Sequence, residues 1–586
     1  MISFDSWKCF IFELILFTFT VRWNESLKGY EADSWGTEFI FIIPQKSSES
    51  NQAACYILAM DREKNVTANI EYNILSIKNN KSKIEKKKDK VVLRSFYQYN
   101  FHNLVVNNAV DGLHMLKDNR IHITSLDKIS IIAYVSGDKS AIDYFLVHPV
   151  GMGGNYYGFS LPGRSTITLY FIPLGATNKT ISQNHGVHNV SIKLRQNNKI
   201  KTVKQSMKAG SLWQYTTFVQ ETISIWIRDQ LNSTSNVTKR VRSKVRTKLN
   251  DETARLLIIA LVWNVSLLGV KKTDFGCFMP TPMIVDQCAE LTTPAYYPIN
   301  SAFVNNALFT SPSDLCPKEM INIRTTMTES NLLTMEWNKS AEQISLKEKV
   351  SKKMFAITSG TTIMNIVHYG GNEGMFIHEI PAYSQWVNGD SPVVVPEGSE
   401  ATLYVLADDY GREATMEGFE YPYFEAMDDV SPDFSLFLYT RKLNPGIYRV
   451  GIDQELGGRY IAILVAEFSE ATIGYIAAIN LHKIPPPIFV KYSTTAHLTT
   501  TNSPTTPLLV STMTTVTTTR GASLITGGYG DEWLRQTGGC GNKWEQKMEL
   551  VVVVTGAYSN SWLRQQAATV AVVVTTGSYS NRWWLR

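Results

Sequence analysis

A strand-turn-strand unit that occurs twice is the feature that most constrains what this chain can fold into. The first copy spans Arg120–Val150, with apolar residues at every second position and a Ser-Gly-Asp turn, the pattern of half-buried strands. The second copy begins at Ala356, about 235 residues later, and a repeat of that length indicates a duplicated β unit rather than a short-period solenoid. Three pairs of residues align between the copies: Ile123 with Ile357, Tyr134 with Tyr369, and Pro149 with Pro381.

Short apolar strands separated by turn residues continue on both sides of each copy, a rhythm that favours β-sandwich packing over an α/β fold. The sequence therefore predicts an all-β protein of tandem β-sandwich-like units with an internal duplication, followed by a disordered Thr-rich segment. The predicted organisation is a signal peptide at 1–23, a first β unit at 35–300, a second at 301–484, a Thr/Pro-rich mucin-like linker at 485–525 and a low-complexity repeat tail at 526–586.

Composition excludes several classes of protein. A chain of 586 residues is too long for one hydrophobic core, and 44% hydrophobic residues are enough to build more than one. The formal net charge of +5 is small for this length, and no zinc-finger, helix-turn-helix or RNA-binding signature accompanies it. We therefore expect no nucleic acid among its partners.

An apolar run from Cys9 to Val21, preceded by Lys8, has the length of a signal-peptide core and is short for a membrane span. A cleaved signal predicts a secreted or cell-surface protein. A retained membrane anchor and a cytosolic N-terminus are the alternatives, and we expect membrane contact only if the segment is retained. Acceptor sites for N-glycosylation agree with secretion; they lie at Asn24, Asn65, Asn80, Asn178, Asn189, Asn232, Asn236, Asn264 and Asn338.

Five cysteines remain once Cys9 is removed with the signal, and none has zinc-ligand spacing. In an oxidising compartment the nearest pair, Cys277 and Cys288, is the best candidate for a disulfide, which would close a short loop. Cys55 with Cys316 is a second pairing. Cys540 is then left over, which suggests an intermolecular link or a free thiol.

Two basic runs are candidate sites for an acidic polysaccharide. One is the lysine-rich run at 78–90, which is more often a solvated hairpin loop. The other alternates basic and other residues, so that on a strand its cations share one face; an exposed edge strand protected by charge is the alternative. Its members are Arg240, Arg242, Lys244, Arg246 and Lys248.

Catalytic signatures are absent: the chain has no HExxH, no GxSxG, no phosphate-binding loop and no dinucleotide-binding glycine motif. His368, His378 and Glu379 flank the second copy of the repeat and are candidate metal ligands, but histidines at strand ends are usually structural. Ser160 lacks the strand-turn-helix setting of a nucleophile. We expect no enzyme, no cofactor and no resident metal. The acidic stretch from Asp408 to Asp433 also lacks calcium-loop spacing and is expected to be a solvated loop.

Threonine makes up half of the residues from Thr494 to Thr519, the composition of an O-glycosylated stalk. Beyond it, Thr-Gly-x-Tyr-x-x-x-Trp recurs at Thr526, Thr555 and Thr576. Translated repetitive DNA and real structure are equally good explanations of this tail.

The order of the motifs resembles the N-terminal domain family of IgGFc-binding proteins across roughly Trp35 to Leu481. The resemblance rests on the opening strand at Gly36–Phe39, on the first copy of the repeat, on Leu212–Tyr215, on the Cys277–Leu291 segment and on the second copy with its proline-containing continuation. It implies a secreted or surface-attached, non-catalytic module of the kind found in mucus and adhesive proteins. It does not transfer immunoglobulin binding, because no cysteine-rich von Willebrand-type modules follow.

These observations predict a non-enzymatic adhesion or mucus-associated binding protein that recognises extracellular proteins or glycans. A structural glycoprotein of a surface coat, and a glycosaminoglycan-binding module that uses its basic strands, are the alternatives.

Overall fold

The computed structural model confirms the all-β prediction: the described residues form strands, three short 3-10 turns and no α-helix. The described residues are 32–44, 52–78, 81–102, 104, 111–136, 142–175, 187–196, 199–231, 255–265, 274–283, 296–300, 306–310, 320–324, 333–336, 341–345, 353–358, 365–371, 374–409, 411–413, 415–416, 425–426, 436–452, 458–481, 514–517 and 523–526.

The described strands up to residue 300 come first in chain order. They are β1 Gly36–Phe41, β2 Gln52–Ala59, β3 Val66–Lys78, β4 Lys81–Leu93, β5 Phe96–Phe101, β6 Gly112–Leu116, β7 Ile121–Ser136, β8 Ile142–Val147, β9 Tyr156–Leu161, β10 Ser165–Pro173, β11 Val187–Gln196, β12 Lys199–Lys208, β13 Leu212–Val219, β14 Ile223–Leu231, β15 Leu256–Val265, β16 Asp274–Phe278 and β17 Tyr296–Asn300.

The later strands are shorter on average. They are β18 Asn306–Phe309, β19 Met320–Arg324, β20 Leu333–Glu336, β21 Glu342–Ser345, β22 Lys353–Thr358, β23 Ile366–Gly370, β24 Phe376–Ile380, β25 Ser391–Val395, β26 Glu400–Asp408, β27 Thr415–Met416, β28 Glu425–Ala426, β29 Leu436–Leu443, β30 Gly446–Gly451, β31 Tyr460–Glu467, β32 Thr472–Ile476, β33 Thr514–Thr517 and β34 Ser523–Thr526. The 3-10 turns are Val150–Met152, Tyr383–Gln385 and Gly411–Glu413.

Residues Trp23–Tyr492 form one compact unit that contains β1 to β32. A second unit, made of Met1–Arg22 and Ser493–Arg586, has β33 and β34 as its described strands, and they pair antiparallel.

Three sheets of the large unit are stacked through apolar faces. The first has the order β4-β3-β7-β2-β5, with β1 and β8 also paired to β7; the second has the order β16-β15-β10-β13-β6; the third has the order β12-β11-β14-β9. One buried cluster joins the first two sheets, for example Ile131 with Ile259. Another joins the second and third, for example Leu169 with Ile192. The alternation of apolar and polar residues along each strand places one set of side chains in these clusters.

The internal duplication extends beyond the repeated unit. The hairpin β7–β8 is followed by Pro149 and a 3-10 turn, and the hairpin β23–β24 by Pro381 and a 3-10 turn. The sheet β16-β15-β10-β13 has its counterpart in β32-β31-β26-β29. Isolated bridges lie at equivalent places, Gly154 with Leu256 and Val387 with Tyr460. The two copies therefore share strand order as well as sequence pattern.

One sequence expectation about a single element was wrong. The lysine-rich run at 78–90 is not a loop: most of it belongs to β4, which pairs with β3 along its whole length.

Candidate functional site

Several of the residues singled out in the sequence lie outside the described part of the chain. These include the alternating basic run from Arg240 to Lys248, the cysteines at 288, 316 and 540, and the predicted signal peptide. Among the predicted glycosylation sites, Asn65 is exposed in the turn before β3, Asn189 is half-buried on β11, and Asn264 lies on β15. The other acceptor sites also lie outside the described residues: Asn24, Asn80, Asn178, Asn232, Asn236 and Asn338.

The described cysteines, Cys55 and Cys277, are buried thiols that form no disulfide with each other. Burial raises the pKa of both thiols, and the neighbouring Asp143 carboxylate adds to the shift at Cys277. A thiol with a raised pKa is a poor nucleophile at neutral pH. The Cys277–Cys288 disulfide stays a prediction, since Cys288 is not among the described residues.

The histidines of the second repeat lie inside the protein. His368 on β23 and His378 on β24 are cross-strand partners, and their ring centroids are 5.3 Å apart. Burial lowers the pKa of His378 to about 4 and lowers that of His368 as well. No group of three or more His, Cys, Asp or Glu side chains that could hold a metal occurs among the described residues.

Glu379 and Ser160 take part in buried polar contacts. Glu379 Oε2 accepts hydrogen bonds from the backbone N–H (3.1 Å) and the hydroxyl (3.0 Å) of Thr281. Burial raises the pKa of this carboxyl to about 7. The Ser160 hydroxyl is 3.1 Å from that of Ser224 and 2.9 Å from that of Thr310. These contacts connect strands from before and after residue 300, so they serve packing.

Asp408 also differs from the expectation of a solvated acidic loop. It is buried at the end of β26, where its carboxylate accepts hydrogen bonds from the Tyr383 hydroxyl and from the backbone N–H groups of Gly411 and Arg459. Three donors hold the group as a structural anchor of the adjoining turn.

The first basic run is partly neutralised by its neighbours. Both Lys86 and Lys88 on β4 reach Glu71 on β3, with N–O separations of 2.5 and 2.6 Å. Lys87 pairs with Asp89 at 3.1 Å on the same strand. Because these acids lie among the lysines, the β3–β4 hairpin presents a surface of mixed sign, although its seven lysines outnumber Glu71, Glu85 and Asp89.

The third sheet differs from the β3–β4 hairpin in the charges on its outward side. Its inward residues, such as Ile192, Met207 and Ile227, fill the cluster shared with the second sheet. Since side chains alternate along a strand, the remaining positions of β9, β11, β12 and β14 point outward. Those outward positions carry basic residues and no Asp or Glu; the basic residues are Lys193, Arg195, Lys204, Lys208 and Arg228, which we call the basic face.

Register determines how these cations are spaced. Ser191 on β11 pairs with Lys204 on β12 at one side and with Arg228 on β14 at the other. Lys204 and Arg228 therefore lie two strand spacings apart, about 10 Å at their Cα atoms. Lys208 lies four residues along β12, roughly 13 Å from Lys204. The three side chains are exposed.

The inner part of this surface is packed rather than open. Trp226 on β14 and Tyr156 on β9 join a buried cluster with residues of the later strands, among them Phe376. The Arg195 guanidinium lies 5.3 Å from the Trp226 ring centre. The accessible part of the basic face is therefore the β11–β12 side together with Arg228.

Sequence reasoning missed this surface, although a signal was present. No Asp or Glu occurs between Asp143 and Glu221. Eight basic residues fall in that interval, but they are spread over several strands rather than clustered in one run: Arg164, Lys179, Lys193, Arg195, Lys199, Lys201, Lys204 and Lys208. Only the pairing of β11 with β12 and β14 brings the outward ones onto one face.

No protein-family model matches the chain, and a search of curated proteins found no match. Within the described residues there is no helix of the length and apolar character needed to cross a membrane.

Proposed function

We propose that this chain is a non-enzymatic extracellular binding protein that holds polyanionic glycans against its basic face. The observation that carries the proposal is the accessible part of this face, where Lys204, Lys208 and Arg228 are exposed and no outward position of β11, β12 or β14 carries an acidic residue. A one-signed surface attracts polyanions over distances of about a Debye length, roughly 8 Å at physiological salt.

The shape of the surface favours an extended ligand. The exposed cations, Lys204, Lys208 and Arg228, lie on the accessible part of the sheet face and are separated by about 10 Å or more. One small anion cannot contact all three, whereas a chain that carries repeated sulfate or carboxylate groups can. Long lysine and arginine side chains on a sheet also adapt to a variable partner, which suits a binder of adhesive or mucus-like material.

The features of the sequence that are typical of secretion support an extracellular location. An apolar N-terminal run, many glycosylation acceptor sites and a Thr-rich segment are typical of extracellular glycoproteins. Acidic polysaccharides are among the polyanions found in that setting. The sequence's resemblance to the IgGFc-binding family is compatible with a binding role and stays a prediction.

The proposal is tested by binding of the full chain, produced without N-glycans, to immobilised heparin, a neutral polysaccharide and immunoglobulin. We expect retention on heparin alone at physiological salt. Lys204→Ala with Arg228→Ala should weaken that binding by about 10-fold, because two exposed charge contacts are removed. Equal binding to neutral polysaccharide, or no selective binding at all, would contradict the proposal; the latter is the behaviour of a surface-coat component.

A further variant separates the basic face from the alternating basic run that the sequence favoured. Arg242→Ala with Arg246→Ala removes two cations from that run while leaving the basic face intact. If this pair abolishes heparin binding and the Lys204 and Arg228 changes do not, the polyanion site lies in that run and our assignment is wrong.

A further inference from the structure

Asn189 is a glycosylation acceptor in the middle of the basic face. It lies on β11 in the sequence Asn189-Val190-Ser191 and shares the outward side of the sheet with the cations. Val190, between the two, points inward into the buried cluster. Both polar residues of the acceptor motif are therefore presented on the surface that we assign to polyanion binding.

Strand register places the acceptor between two of the exposed lysines. Asn189 pairs with Ser206, while the flanking outward pairs are Ser191 with Lys204 and Val187 with Lys208. Each lysine is two residues from Ser206 on the neighbouring strand, so along the strand direction its Cα atom is offset from that of Asn189 by about 7 Å. A glycan attached at Asn189 would stand over both ammonium groups, because it is bulky and projects from the surface.

The local geometry leaves the modified atom accessible. The Ser206 hydroxyl donates a hydrogen bond of 2.8 Å to Asn189 Oδ1. This bond orients the amide and leaves Nδ2, the atom that carries an N-linked glycan, without a hydrogen bond among the described residues. The side chain is half-buried on β11, which is paired on both sides. An attached glycan would therefore leave the sheet at a fixed position.

We propose that glycosylation at Asn189 controls access to the basic face: the unmodified protein binds polyanions, and the modified protein is blocked. This inference rests on the proposed function and deepens it by assigning a regulatory modification to the same site. The mechanism is steric, since a neutral glycan leaves the charges of Lys204 and Lys208 in place but separates them from a ligand. Variation in occupancy would then produce two populations with different affinity for acidic glycans.

The test uses the full chain secreted from cells that attach N-glycans, with Asn189 occupancy measured by glycopeptide mass spectrometry and heparin as the probe. Ser191→Ala removes the acceptor motif, and Asn189→Gln is a second variant with the same purpose. We expect occupied wild-type protein to bind heparin about 10-fold more weakly than either variant, a loss similar to that from removing two rim charges. Asn65→Gln removes an exposed acceptor away from the basic face and should leave the affinity unchanged.

Two outcomes would overturn the inference: an unoccupied Asn189, or an occupied Asn189 whose removal leaves heparin affinity unchanged. Failure of the proposed function is recognised separately. If Ser191→Ala protein binds heparin equally well with and without the Lys204→Ala and Arg228→Ala changes, the basic face is not the binding site. If that combined variant loses heparin binding and Asn189 is unoccupied in the wild-type protein, the basic face remains the binding site but its regulation by glycosylation is rejected.

Discussion

At the scale of single residues, the buried histidines His148, His368 and His378 couple stability to pH. Burial lowers the pKa of His148 to about 3 and that of His378 to about 4, from an ordinary value of 6.5, and His368 shifts in the same direction. The sequence identified His368 and His378 as noteworthy, but periodicity does not show that a polar residue points inward. Their role as buried neutral groups required the pairing of β23 with β24.

The pKa shifts predict that the protein loses stability in acid. A histidine with a lowered pKa contributes fully above 6.5, and its contribution is lost as the pH falls from 6.5 toward the folded value, at about 1.4 kcal/mol per pH unit. Glu379, with its raised pKa, acts in the opposite sense between pH 4.5 and about 7. Because three histidines oppose it, the free energy of unfolding should fall between pH 6.5 and 5.

Urea unfolding at pH 7 and pH 5 measures this loss directly. His148→Gln removes one titrating group and should reduce the difference between the two pH values, whatever its effect on stability at pH 7. His114→Gln, at an exposed position on β6, is the matched control. An identical pH dependence in all three proteins would contradict the assignment of buried neutral histidines.

At the scale of strands and turns, the period-two pattern predicted much of what the structure contains. The hairpins β7–β8 and β23–β24, with their following prolines, were predicted from the repeat. Strand order was not, because it depends on contacts between residues far apart in sequence. Leu212–Thr216 on β13 and Leu436–Thr440 on β29 share the motif Leu-x-x-Tyr-Thr. These corresponding strands extend the duplication, although their separation in sequence differs from that of the first repeated unit.

The dependence of strand pairing on distant residues also explains why the sequence revealed one basic surface and not the other. The lysine-rich run on β4 is easily seen in the sequence because its charges are contiguous, yet two of its lysines share the Glu71 carboxylate on the paired strand. The basic face has its cations on three strands, and adjacent positions along each strand point to opposite sides. Charge clusters within a short window are visible in a sequence, whereas clusters across a sheet require its register.

Close packing between strands gives a test at this scale. Gly276 on β16 and Gly474 on β32 occupy equivalent strands, and a Cβ at Gly276 would lie 2.5 Å from Ile377 Cγ2 on β24. Gly276→Ala should therefore destabilise the protein by about 1 to 3 kcal/mol through overpacking. Gly151→Ala is the control, since nothing lies within 4 Å of its added Cβ. Equal melting temperatures for both variants would show that β16 and β24 do not approach so closely.

At the scale of the whole molecule, the two repeats are joined by shared cores. One buried cluster contains Tyr134 and Tyr144 from the first repeat together with Val394 and Leu464 from later strands. Arg449 adds polar contacts: its guanidinium donates to the carbonyl oxygens of Ala59 and Met60. The sequence predicted a boundary at 300/301, but sequence patterns do not report which apolar faces meet.

Shared cores predict that the halves do not fold alone. A fragment of residues 32–300 would expose the apolar surfaces that the later strands cover, and we expect it to aggregate or to lack a cooperative thermal transition. Co-expression with residues 301–484 should restore soluble material if the two associate. A monomeric 32–300 fragment with a sharp transition and a strand-rich circular dichroism spectrum would contradict this account.

The most direct test of the central claim is the salt dependence of heparin affinity for three full-length proteins. These are the wild type, the basic-face variant Lys204→Ala with Arg228→Ala, and the hairpin variant Lys86→Ala with Lys88→Ala, all carrying Ser191→Ala so that glycosylation at Asn189 does not differ. The account predicts that the basic-face variant alone shows lower affinity and a plot of log affinity against log salt that is shallower by about 1 to 2. Matching losses in both variants, or none in either, would contradict it.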